Sequence, residues 1–253
     1  SQVVEACTRA QVLLDRVLPS WSEFFRTTLR LEGAYCAAYL DPRPEAADRL
    51  LESLESVDLP GTMRFIARSV RGELELTRGN VRTAALIQRV SLRYAGNWRS
   101  ILGSGSQWEL YILSMCLVTD VELSPDDAVE LDAGAIRARA TSLLREILSD
   151  PAPRQRDIPT LMAFAAAVGL SAVAAEDAGP DRRAVGGELV ATALAVGTNQ
   201  TCRLLSHDYL RSRTERLDAR ALAQAEERIR SLDRGGLVVH AADLAGRLAG
   251  EVG

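Results

Sequence analysis

Two stretches near the middle of the chain limit what it can fold into more than anything else. TLMAFAAAVGLSAVAAE, Thr160 to Glu176, has no charged side chain before its last residue, and GELVATALAV, Gly187 to Val196, has only Glu188. A helix that is apolar on every face must be covered on every face. Both runs fall short of the roughly 20 residues that cross a bilayer, so they read as core helices of a water-facing bundle. Alternating strand patterns are nearly absent elsewhere, and helical spacing is almost continuous. The expected fold is all-α: a single all-helical domain over residues 1–253, a bundle of about ten helices.

Punctuation marks the helices. Ser20 followed by Glu23 resembles a capping box. Pro44 suits a first helical position, and Gly79 and the GSGS loop at Gly103 to Ser106 separate the next segments. Ser124-Pro125 opens DDAVELDAGAIRARATSLLREIL, which reads as one helix. SDPAPRQRD reads as a sharp loop between helices, and DAGPDRR as a turn. GGELVATALAVGTNQTCRLLSHDYLRSRTE reads as one long helix whose end turns polar, and two shorter amphipathic helices follow it.

The totals exclude several function classes. A formal charge of −4 does not suit a nucleic-acid binder. All thirty basic residues are Arg, which removes a Schiff-base lysine and a P-loop lysine. Cys7, Cys36, Cys116 and Cys202 are far apart with no CxxC, so free thiols in a reducing cytoplasm are expected rather than zinc. No GxSxG and no Glu-x-x-His pair occurs, so serine hydrolase and di-iron chemistry lack their residues.

One constellation remains. Asp208, Ser212 and Glu215 recur at spacings of four and three, which put them in one stripe of a helix. Two carboxylates and a hydroxyl are the oxygen donors Mg²⁺ prefers, with water and substrate phosphate completing the octahedron. Arg203, Arg211 and Arg213 follow closely enough to neutralise a phosphate, and Asn199 and Gln200 lie about two turns upstream. The same residues also read as a solvated helix end with an Arg211–Glu215 pair at i,i+4.

The segment around residues 154–216 resembles class I terpene synthases, the bacterial terpene cyclases among them. Their second metal motif, Asn/Asp-Asp-x-x-Ser/Thr-x-x-x-Glu, often follows an Arg-Leu pair, and here Arg203-Leu204 precedes SHDYLRSRTE. Asp208 and Ser212 keep the interval of the first two ligands but put Arg216 at the third. Starting at His207 puts Glu215 last, with Arg211 where the hydroxyl belongs. Pro159, Thr160, Gly169 and Ser171 match the family's preceding broken helix, which lines the pocket, and each also suits an ordinary helix start or close packing. For the Asp-rich first motif the segment LYILSMCLVTDVELSPDD supplies Asp120 and Glu122, with Thr119 in place of an Asp.

The resemblance implies a terpene synthase that ionises a prenyl diphosphate with Mg²⁺ and cyclises the carbocation. Asp208 and Glu215 would be catalytic, and Asp120, Glu122, Asp208, Ser212 and Glu215 would hold metal. Arg156, Arg203, Asn199, Trp108 and Phe164 would contact substrate, and Trp98 and Tyr111 are further aromatic candidates, each equally readable as core. The expected partner is that small molecule, with no nucleic acid and no membrane, and with a homodimer allowed. The competing expectation is a non-catalytic helical ligand-binding or interaction module, which explains the incomplete motifs directly. A member of the fold that has lost its metal chemistry lies between them.

Overall fold

Helices begin where a short polar residue or a proline precedes an apolar run, because the first turn has backbone N–H groups that only a side chain or water can satisfy. The computed structural model describes residues 22–39, 44–55, 59, 61–102, 107–149, 157–198 and 203–250, with Ala6, Arg9 and Val12; of 22–26, 36, 38–39, 55, 61–63, 94–102 and 203 it describes the backbone alone. Among the described residues there are helices and turns and no strand. Chain contacts divide the molecule into two compact units, residues 1–91 and 92–253. The division falls inside a helix rather than at the proline-rich SDPAPRQRD, which lies almost wholly outside the described residues.

The first unit contains α1 (Ser22–Tyr39), α2 (Pro44–Glu55), α3 (Gly61–Thr77) and the start of α4 (Val81–Leu102). Pro44 opens α2 with Glu45 in its first turn, where proline lacks no needed donor and a carboxylate meets the positive end of the helix. Ala34 and Ala37 of α1 pack on Ala47 and Leu51 of α2 and on Val70 and Leu74 of α3. Asp48 of α2 binds Arg71 at 2.6 Å and also pairs with Arg78, tying α2 to α3. The end of α3 closes as a Schellman motif, with Asn80 N–H on Glu75 O at 2.9 Å and Gly79 N–H on Leu76 O at 3.0 Å.

The second unit contains the rest of α4, then α5 (Gln107–Asp120), α6 (Pro125–Glu130), α7 (Ala133–Leu148), α8 (Ile158–Ala174), α9 (Pro180–Val196), a 3₁₀ turn (Arg203–Leu205), α10 (His207–Ile229) and α11 (Arg234–Gly250). Ser124 caps α6 and Asp157 caps α8, each accepting from the N–H three residues on. As its composition demands, α8 is buried all round: every residue from Thr160 to Val173 is enclosed, under α5, α7, α9, α10 and α11. Each large side chain so buried contributes roughly 1.5–3 kcal/mol. No helix among the described residues is long and apolar enough to cross a membrane.

The tightest contact is where α8 crosses α9. A Cβ on Gly169 would stand 2.6 Å from Gly186 O, and a Cβ on Gly186 would stand 2.7 Å from Gly169 O. The two backbones therefore touch through reciprocal glycines, close enough for Cα–H to meet carbonyl oxygen. A charged pair lies beside this core. Glu109 of α5 is almost fully buried and accepts from Arg139 of α7 at 2.7 Å.

Two expected helices break differently. The helix after Ser124-Pro125 stops at Leu131, and Asp132 turns left-handed with φ 54° before α7 begins. The long helix from Gly186 ends at Gly197, whose φ of 114° suits glycine alone, and α10 starts afresh at His207 under a Ser206 cap. Within α10, Asp218 is extended with φ −157° and caps the second half through Ala221 N–H at 2.8 Å. Arg211 binds Glu226 across this break. A straight helix would hold residues 15 apart at about 22 Å, so α10 folds back on itself.

Replacing Gly169 by Ala is expected to destabilise the protein by at least about 2 kcal/mol, because the methyl meets backbone that cannot step aside. Gly246→Ala, in α11 with nothing near its would-be Cβ, should instead gain up to about 1 kcal/mol. Urea unfolding of both variants checks this pair.

Candidate functional site

The stripe Asp208, Ser212, Glu215 lies in the first half of α10. Because the chain restarts at Ser206, Asp208 sits in a first turn, where a carboxylate complements the positive helix end. Its side chain is fully solvent-exposed, 3.5 Å from His207. Ser212 is exposed, and its hydroxyl donates to Tyr209 O at 2.9 Å. Glu215 binds Arg211 at 3.0 Å, the i,i+4 pair of a solvated helix. The stripe is thus a water-facing surface.

The side of α10 that meets the rest of the unit carries Arg213 and Tyr209. Five positions separate Asp208 from Arg213, about 140° round the axis. Arg213 pairs with Glu122, just beyond α5, and donates from Nε to Tyr209 Oη at 3.2 Å. Its guanidinium carbon also lies 5.2 Å from the Tyr209 ring centroid. Burial pushes the Tyr209 phenol up, against the opposing effect of Arg213. The structure therefore brings Glu122 to α10, but to a guanidinium and not to Asp208, Ser212 or Glu215.

Asp120, Glu122, Asp208, Ser212 and Glu215 do not form one donor set. Among the described residues no three His, Cys, Asp or Glu side chains converge as a metal site. Mg²⁺ requires oxygens aimed at one point, so these five do not fit it as arranged. Arg156, Asn199 and Gln200 lie outside the described residues, as do the side chains of Arg203 and Trp98. Phe164 is fully enclosed in α8, whereas Trp108 and Tyr111 are half-buried on α5. Cys116 of α5 is a buried free thiol; Cys7, Cys202 and the Cys36 side chain lie outside the described residues.

One predicted residue does line a cavity. Where α5 and α8 end and α6 and α7 begin, a recess of about 570 Å³ opens. Leu117, Val121, Leu123 and Val129 are among its apolar walls. Asp120 lines it with both carboxylate oxygens screened from solvent, and Asp132, Glu176 and Asp177 are exposed at its edge. The basic side chain in the wall is Arg137, 3.8 Å from Asp177, with Nε enclosed and making no hydrogen bond. A second recess of about 570 Å³ shares Gly134, Arg137 and Asp177 with the first and adds Asp181 and Arg182.

Asp132 and Arg137 were out of reach of sequence reasoning because their segment reads as one uninterrupted helix from Pro125. The signal was present in Asp132-Ala-Gly134, an αL-tolerant residue two before a glycine, inside a helical pattern.

Glu188 forms the remaining charged cluster. It is the buried acid of α9, accepting from Arg228 Nε at 2.8 Å and standing 2.8 Å from His240 Nε2. Through them α9 holds the second half of α10 and α11. Burial raises the Glu188 carboxyl, but the hydrogen bonds and charges of Arg228 and His240 outweigh it and hold the group below its ordinary value.

Family models, curated proteins and solved structures contain no match to this chain.

The sign of the Glu188 shift makes a test. A carboxyl depressed in the fold adds stability that is present above its unfolded value of 4.5 and is lost as pH falls through the lower folded value. Glu188→Gln is expected to cost roughly 1–2 kcal/mol at pH 7, moderated by the exposure of Arg228. The difference from the parent should shrink below about pH 4.5 in parallel unfolding curves.

Proposed function

We propose that the second unit is a helical ligand-binding module that takes a compact organic cation, an amine or guanidinium with a short apolar body, in the recess at the end of α5. The observation that carries this is the exposed acidic edge, Asp132, Glu176 and Asp177, of a 570 Å³ recess whose walls include several aliphatic side chains. Asp132, Glu176 and Asp177 at the edge raise the local concentration of cations, and Leu117, Val121 and Leu123 receive the apolar body. The recess is large enough for a molecule of that size, within the range of small-ligand sites.

A second reading, turnover of a prenyl diphosphate with Mg²⁺, has one observation in its favour. The end of α5 and the start of α10, which the terpene synthase resemblance assigns to the two metal motifs, adjoin through Glu122 and Arg213. In that reading Arg137 or Arg213 would meet the diphosphate, and Glu122 would have to leave Arg213 to reach metal.

One titration separates the two. Thermal shift and calorimetry with butylamine, agmatine and choline are compared with geranyl, farnesyl and geranylgeranyl diphosphates, with and without Mg²⁺. A saturable response to an amine that Asp132→Asn with Asp177→Asn weakens by about 3- to 10-fold is expected, as for exposed charge pairs. Asp208→Ala and Glu215→Ala should leave it unchanged. No amine response sinks the module; hydrocarbon released from a diphosphate only with Mg²⁺ establishes the second reading in its place.

A further inference from the structure

Arg137 stands in the wall of both recesses of the second unit, which also share Gly134 and Asp177. Its Nε is enclosed and makes no hydrogen bond. A donor hidden from water in this way calls for an acceptor. Among the described residues the carboxylate within 4 Å of this guanidinium is Asp177, 3.8 Å from Nη1 and so too far for a hydrogen bond. The Asp177 side chain is 90 % exposed, and a pair solvated to that extent is weakly held. A guanidinium and a carboxylate thus lie side by side at the recess with neither closed on the other.

The helix that carries Arg137 has the same polarity there. Asp132 precedes α7 without a side-chain cap, whereas Ser124, Asp157 and Ser206 each accept from an N–H in the first turn of α6, α8 and α10. Gly134 lies in the uncapped turn, three residues before Arg137 and therefore on the same side of α7. Nothing stands within 4 Å of a would-be Cβ on Gly134, so its backbone is open to a ligand. The positive end of a 16-residue helix and a guanidinium favour a negative group at one place.

A plain amine drawn in by Asp132, Glu176 and Asp177 would sit beside Arg137 and be repelled by it. A ligand that carries a carboxylate next to its ammonium turns that repulsion into attraction. We propose that the recess takes an aliphatic α-amino acid. Its carboxylate meets Arg137 and the start of α7, its ammonium meets Asp177 and Asp132, and its side chain lies against Leu117, Val121 and Leu123. The assignment rests on the cation reading above and narrows it to a cation with its own acid group.

Calorimetric titration of the full chain with norleucine tests this, beside pentylamine, which is norleucine without the carboxylate, and hexanoate, which lacks the amine. Norleucine should bind saturably and at least about tenfold more tightly than either, as for an added hydrogen bond to a charged group. Arg137→Gln should bring norleucine down to the level of pentylamine. It should not weaken pentylamine, since it removes a neighbouring positive charge, and a retained pentylamine response shows that the variant is folded. Arg137→Lys should fall between the parent and Arg137→Gln, because the charge stays while the fork is lost. Should Arg137→Gln fail to fold, the three ligands on the parent chain decide the matter. Equal affinity for norleucine and pentylamine overturns the inference and leaves the cation reading standing. Hexanoate binding as tightly as norleucine overturns it in favour of a plain anion site, and silence from all three ligands overturns both readings.

Discussion

The reciprocal approach of Gly169 and Gly186 is the constraint on which the second unit depends. Without side chains at these two positions α8 and α9 come together at backbone contact, and the small residues around them let other helices close over both. Alanine at six positions of α8 and four of α9 serves the same end, by filling little space where helices cross. The consequence is a solid centre. A helix enclosed on all sides leaves no hollow along its length, so Phe164 and Met162 pack against protein and recesses arise where helices stop.

The buried carboxylates Glu188 and Glu109 lie where the central helices meet their neighbours. Glu188 is the acid that α9 takes inward, and it is matched by Arg228 and His240 from two other segments. Glu109 is matched by Arg139 in the same way. Buried charges of this kind are costly when one partner is removed, and so they define which helices may lie together more than they add to net stability. Arg serves in each case, as it must in a chain without lysine, and its planar fork suits a carboxylate half removed from water.

Asp120 lies where the chain around it ends in an open recess. The helix that carries it stops, the next helix is only six residues long, and Asp132 turns the chain sharply before α7. The space left between these ends joins aliphatic walls to an acidic edge and the Arg137 guanidinium.

Much of the fold was legible in local chemistry. Helical periodicity set the class, the composition of Thr160 to Glu176 required complete burial, and Pro44, Ser124, Asp157 and Pro180 opened helices where their chemistry predicts. These signals act within a turn or two of the backbone, so a sequence carries them whole. What the stripe Asp208, Ser212, Glu215 faces was not legible, because spacing says which residues share a face and nothing about what lies opposite. The break at Gly197, the fold-back at Asp218 and the pairing of Arg213 with Glu122 turned that stripe to water. Those are contacts between distant segments, chosen by how the whole set of apolar faces could be covered at once, and only tertiary packing decides that.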